Sequence, residues 1–189
     1  HTESADRSQA TPEELANQQV GHSWIDLRIA DGQVPTGTGS PTRELLEAGD
    51  MGIGFYPVGP VVPGLDGPGR VVEPDEAFEG KAGKHYWISQ DGLEALLAYV
   101  DQHRFHPYNL LTYNCTTFAV EAVEAAGVSP PSMNGPVDSP NALYGGMYEQ
   151  HEAGDESVGI APLEPGETHG PGGPGVPGLG GLGFPGMEG

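Results

Sequence analysis

Residues Tyr108–Gly127, reading YNLLTYNCTTFAVEAVEAAG, carry the strongest local folding instructions in the chain. Asn114 is a good helix N-cap whose side chain can accept an orphaned amide. Tyr113 before it and Phe118 after it have the spacing of a hydrophobic staple. The pattern predicts a helix that opens on Cys115, the only cysteine. A thiol at the first helical position feels the positive end of the helix dipole, which favours the thiolate, the form that attacks carbonyl carbon. Cys115, Phe118, Ala119, Ala122, Val123 and Ala126 also follow the i, i+3, i+4, i+7 rule. Cys115 therefore lies on the stripe that a packed helix buries, where free cysteine is commonly inert. A histidine elsewhere has to decide between the two readings.

The 31 glycines and 19 prolines among 189 residues leave room for one folded domain with irregular ends. The expected organisation is an extension over 1–14, a domain over 15–150 and a Gly/Pro-rich tail or linker over 151–189. Gly170–Gly189, GPGGPGVPGLGGLGFPGMEG, cannot offset its own ordering entropy, and its glycine spacing is not that of collagen. A formal charge of −20 argues against nucleic acid and anionic membrane as partners. One cysteine permits no internal disulfide and no multi-cysteine zinc site, no HExxH pattern is present, and no cofactor or metal is expected. No apolar run reaches membrane-spanning length and no signal-peptide core precedes residue 30, so stable membrane insertion is not expected. The chain opens on His1 without methionine and reads as a processed or trimmed product.

Taken in order, Thr11-Pro12-Glu13-Glu14 is a capping box that predicts a short helix to about Gln18. Gln19–Ala30, QVGHSWIDLRIA, reads as a strand ended by Asp31-Gly32. Period two puts Val20, His22, Trp24, Asp26 and Arg28 on one face, and Gly21, Ser23, Ile25, Leu27 and Ile29 on the other. Ser40-Pro41 opens a further short helix closed by Gly49. Met51–Val58 reads as a second strand that Pro57 confines to an edge or ends, and 59–69 as a loop. Lys84–Ser89 is the third strand candidate, with His85 and Trp87 on one face. Ser89 caps a helix to about His103 that turns Leu93, Leu96, Leu97 and Val100 inward. Ser139-Pro140 starts a last short helix to about Gly145.

Nucleophilic catalysis by cysteine needs a base within hydrogen-bond reach and a group that holds the imidazole. Of seven histidines, His1, His151 and His169 fall in polar or tail sequence, and His103 and His106 flank a helix end. His22 and His85 remain, both on predicted strands. Asp26 shares a face with His22, but four residues of strand separate them by roughly 13 Å, too far for an orienting carboxylate. His85, Tyr56 or a side chain on a neighbouring strand is left for that role. The oxyanion would be held by the Cys115 amide and one nearby donor.

Gly21-His22-Ser23-Trp24, Gly54-Phe55-Tyr56-Pro57 and Tyr113-Asn114-Cys115-Thr116-Thr117-Phe118 together resemble the circularly permuted branch of the NlpC-type papain-like superfamily. That branch includes lecithin:retinol acyltransferase-like proteins and bacterial secreted effectors. The resemblance covers about Val20–Gly146. It implies an α+β papain-like core, a small antiparallel sheet packed against helices, with Cys115 as nucleophile and His22 as general base. The branch often carries a second histidine or another polar residue on the strand after the catalytic histidine. GIGFYPV offers only Tyr56 there, and His85 is the candidate third member.

The function so implied is a cysteine peptidase or amidase that cuts an amide bond in a peptide, an isopeptide or a peptidoglycan stem. An effector toxin, secreted or injected into a target cell and met by a secretion apparatus or an immunity protein, is implied by the resemblance alone; the other expectation for location is cytoplasmic. Two further readings stand beside it. One is acyl transfer or thioester cleavage on lipids, which calls for an apolar channel and a membrane-attracting surface. The other is a non-catalytic cargo or binding module with an inert Cys115.

Overall fold

The computed structural model describes residues 22–28, 46, 51–75, 80–135 and 137–161. Along the chain it runs β1 (Trp24–Leu27), β2 (Met51–Pro57), β3 (Gly67–Val72), β4 (Ala82–Lys84), α1 (Gln90–Gln102), β5 (Pro107–Tyr108), α2 (Cys115–Ala125), α3 (Pro140–Glu152) and β6 (Val158–Ile160). These form an α+β architecture in which a four-stranded sheet, ordered β1-β2-β3-β5, is accompanied by the two-stranded pair β4-β6. Every pairing is antiparallel. The predicted helices over 11–18 and after Ser40 fall outside the described residues, apart from Leu46, which is helical and buried.

The first strand follows its period-two pattern. Ser23, Ile25 and Leu27 are buried while Asp26 and Arg28 are exposed. In β2 all of Met51–Phe55 is buried. Met51, Ile53 and Phe55 enter the main core with Leu96, Leu97 and Val100 of α1 and Phe118, Ala119 and Ala122 of α2. Phe55 sits at its centre, stacked on Phe118 at 5.2 Å and on Tyr108 at 5.6 Å, with the Tyr113 ring edge-on at 5.6 Å. Such offset and edge-on contacts add to the apolar area already buried.

The helices begin where their caps predict. Ser89 accepts from the Gly92 amide and Asn114 from those of Thr116 and Thr117, so α1 and α2 open at Gln90 and Cys115. Helix α3 runs to Glu152 rather than stopping near Gly145. Gly146 there is a contact residue: a Cβ on it would stand 1.5 Å from the Ser132 carbonyl oxygen, so the helix lies against that segment's backbone.

Two strands differ from expectation. The stretch 59–69 is not wholly loop, because β3 begins at Gly67 inside it and pairs with β2 on one side and β5 on the other. Its Gly-Pro-Gly start has no alternation to read. The predicted strand Lys84–Ser89 is displaced, because pairing in β4 ends at Lys84 opposite Val158. Only the His85 amide continues the ladder, donating to the Ser157 carbonyl at 2.8 Å. Pro57 is the last residue of β2 and ends it. Regular structure continues past residue 150 as far as β6.

Candidate active site

Cys115 is buried, 5 % exposed, at the first position of α2. The Asn114 side chain takes the amides of Thr116 and Thr117 and leaves that of Cys115 outside the cap. Its own amide group is anchored by donating to the carbonyls of Leu110 at 3.1 Å and Asp138 at 2.7 Å. The start of β1 meets this helix end. Ser23 Oγ and Thr116 Oγ1 share a buried hydrogen bond of 2.9 Å, and the Ser23 amide donates to the sulfur. His22 is thereby carried to Cys115, and the imidazole and the thiol are hydrogen-bonded.

The other side of the imidazole is held by a residue that the sequence reading did not single out. His22 Nε2 lies 3.1 Å from Asp75 Oδ2, with the two side chains 9 % and 3 % exposed. With Nε2 on Asp75, Nδ1 is the nitrogen left to face sulfur. Tyr56 Oη donates to both carboxylate oxygens, at 3.0 Å and 2.9 Å, and the Asp75 amide donates to the Gly52 carbonyl at 2.8 Å. The His22 ring stacks on Tyr56 at 4.3 Å, with the Trp24 ring near-parallel at 6.0 Å. Room for the carboxylate comes from β2: a Cβ at Gly54 would meet Asp75 Oδ2 at 1.9 Å and His22 Nε2 at 2.9 Å.

These contacts set the charges. Burial works to lower the His22 pKa, but the hydrogen bonds to Asp75 and Cys115 outweigh it and raise the value to about 9. Burial works to raise the Cys115 pKa, yet the hydrogen bond and charge of His22, with the Ser23 amide and the Thr116 hydroxyl, leave it below the usual thiol value. The two groups favour a thiolate–imidazolium pair. Tyr108, from β5, completes the surroundings. Its hydroxyl bonds the sulfur and accepts from the Cys115 amide, and burial, followed by the charge on sulfur, raises its pKa.

The structure therefore brings Cys115 and His22 together and leaves His85 elsewhere. His85 is exposed at the end of β4, on the two-stranded sheet. Asp75 occupies the place beside His22 for which His85 was the candidate, and Tyr56 supports that aspartate rather than touching sulfur. Asp75 escaped the sequence reading because it follows β3 in an irregular segment, Glu73-Pro74-Asp75, with no periodicity to mark it. The paired glycines of Gly52-Ile53-Gly54 were the available signal, since glycine inside a strand marks close approach of other backbone.

Among the described residues no three His, Cys, Asp or Glu side chains gather as a metal ion would require. Nor is any helix there long and apolar enough to cross a membrane. Fold and site together define an α+β protein with a buried cysteine, histidine and aspartate in a hydrogen-bonded line. Compared with family models, curated proteins and solved structures, the chain has no significant match.

Proposed function

We propose that this chain is a cysteine hydrolase of the permuted papain-like, NlpC-type kind, cutting an amide bond in a peptide, an isopeptide or a peptidoglycan stem. The observation that carries the reading is the line Cys115–His22–Asp75, in which one imidazole joins the thiol to a buried carboxylate. A merely structural histidine needs one partner; this ring has a nucleophile on one side and an acceptor on the other.

The thiolate attacks the carbonyl carbon and the bond to nitrogen breaks as the imidazolium delivers its proton to the departing amine. The Tyr108 hydroxyl, released as the sulfur loses its charge, donates to the tetrahedral oxygen, and the Cys115 amide joins it by leaving the Tyr108 oxygen. Neutral His22 then takes a proton from water, which attacks the thioester and releases the acid. Asp75 keeps one ring nitrogen occupied throughout, so that the other serves sulfur, amine and water in turn.

The test is incubation with peptidoglycan fragments, a peptide library and phospholipid vesicles, read by mass spectrometry, in parallel with Cys115→Ala. A gain of one water in a peptide or stem fragment, lost in the variant, is the expected result. Acyl release from phospholipid alone would replace the amide reading by the lipid one. No product from any of the three, with Cys115 inert to iodoacetamide, would leave a binding module.

A further inference from the structure

Against Tyr108 lies a groove whose other lining residues have no part in the mechanism above. The turn between β2 and β3 and Tyr108 form an open groove of about 130 Å³, whose apolar lining includes Val58, Val61, Val62, Leu65 and Tyr108. Leu111 stands against the same turn, its Cδ1 3.9 Å from the position a Cβ would take on Gly64. Val62 is 54 %, Leu65 61 % and Leu111 52 % exposed, so these apolar side chains face solvent together. A cluster of large exposed apolar residues marks a surface with something to bind.

Tyr108 joins this groove to the chemistry, since the residue that lines it also bonds the sulfur and the amide of Cys115. The sheet fixes which part of a substrate lies there. His22 stands at the β1 edge and Tyr108 at the opposite edge, β5. The proton for the departing amine comes from the β1 side, so the acyl portion extends toward β5 and the groove. The volume is a little below the roughly 150 Å³ of a dry cavity that takes one benzene, which suits one side chain. Asp66 is the charged residue in the lining, held by Asn109 Nδ2 at 2.8 Å, and it disfavours an anionic side chain.

We infer that this groove is the acyl-side specificity pocket of the enzyme and takes one apolar side chain of leucine or valine size. The inference rests on Cys115 being a nucleophile, so the experiment reads the two separately. Iodoacetamide, which has no side chain, measures the reactivity of the thiol. Peptidyl chloromethyl ketones ending in leucine, glycine or glutamate, together with a palmitoyl chloromethyl ketone, measure the groove; in each the sulfur displaces chloride and forms a thioether.

The expected result is inactivation by the leucyl reagent at least tenfold faster than by the glycyl or glutamyl ones. Leu65→Asp and Val62→Asp, both at exposed positions, should bring the leucyl-to-glycyl ratio close to one. Equal leucyl, glycyl and glutamyl rates on a thiol that reacts with iodoacetamide would overturn the pocket and leave the nucleophile standing. A palmitoyl reagent faster than the leucyl one would overturn it in favour of a lipid chain. A thiol inert to iodoacetamide would remove the nucleophile, and the pocket with it.

Discussion

A methyl group at Gly54 would sit 1.9 Å from Asp75 Oδ2 and 2.8 Å from the Tyr56 ring, so this position tests whether the carboxylate needs its place. Gly54→Ala should destabilise the fold by about 1–3 kcal/mol, the usual range for overpacking, and lower turnover by more than the lost folded fraction explains. Thermal melts alongside kcat would separate the two. Asp75→Asn keeps the shape and removes the charge. It should cost roughly 10²- to 10⁴-fold in kcat, the range typical of acid–base assistance, and bring the His22 pKa down from about 9, as read by NMR titration of the imidazole. His85→Ala should change neither, because that ring is exposed on the other sheet. The thiol gives a third measurement. Its lowered pKa predicts that iodoacetamide labelling of Cys115 reaches half its plateau rate below the ordinary thiol value of about 8.5, and His22→Ala should move that midpoint upward.

At the scale of the element, α2 buries the apolar stripe that its sequence predicts and also carries Cys115 at its first position, beside the imidazole of His22. Phe118 is fully buried and stacked on Phe55. Phe118→Ala should cost about 3–5 kcal/mol in denaturant unfolding, with the thiol lost through the fold rather than through chemistry. Asn114→Ala should cost about 1 kcal/mol, the usual value of a cap. It should also slow Cys115 labelling in molecules that remain folded, since Asn114 fixes the first turn from which the Cys115 amide and sulfur project. Both helix starts were legible because capping is a matter of three or four consecutive residues. Strands β3, β5 and β6 were not, because Gly-Pro-Gly, Pro-Tyr and Val-Gly-Ile carry no period and are strands only through their partners.

For the whole molecule, the line of Cys115, His22 and Asp75 ties together three segments far apart in the chain, so its protonation feeds into global stability. His22 holds its proton more tightly in the fold, with a pKa of about 9 against an ordinary 6.5. Its contribution is therefore fully present below about pH 6.5 and fades as the pH climbs through about 9. The depressed thiol runs in the opposite sense: its contribution is present above the ordinary thiol range and is lost as the pH falls through its folded value. In the Cys115→Ala background only Asp75 still raises the His22 pKa, so the Tm advantage over the Cys115→Ala/His22→Gln double variant should shrink as the pH rises above about 6.5 and be gone at a lower pH than with the thiol present. An advantage that grew with pH would mean that the imidazole is held neutral. By itself, the sequence determined what neighbours in the chain can settle: the caps at Ser89 and Asn114, the alternation of β1 and the cysteine at a helix mouth. The tertiary structure alone decided that Asp75 and not His85 stands behind the imidazole, and that Tyr108 stands beside the sulfur. The carboxylate reaches its place from an irregular segment over two glycines of a strand some twenty residues earlier, and an approach of that kind leaves no periodic trace.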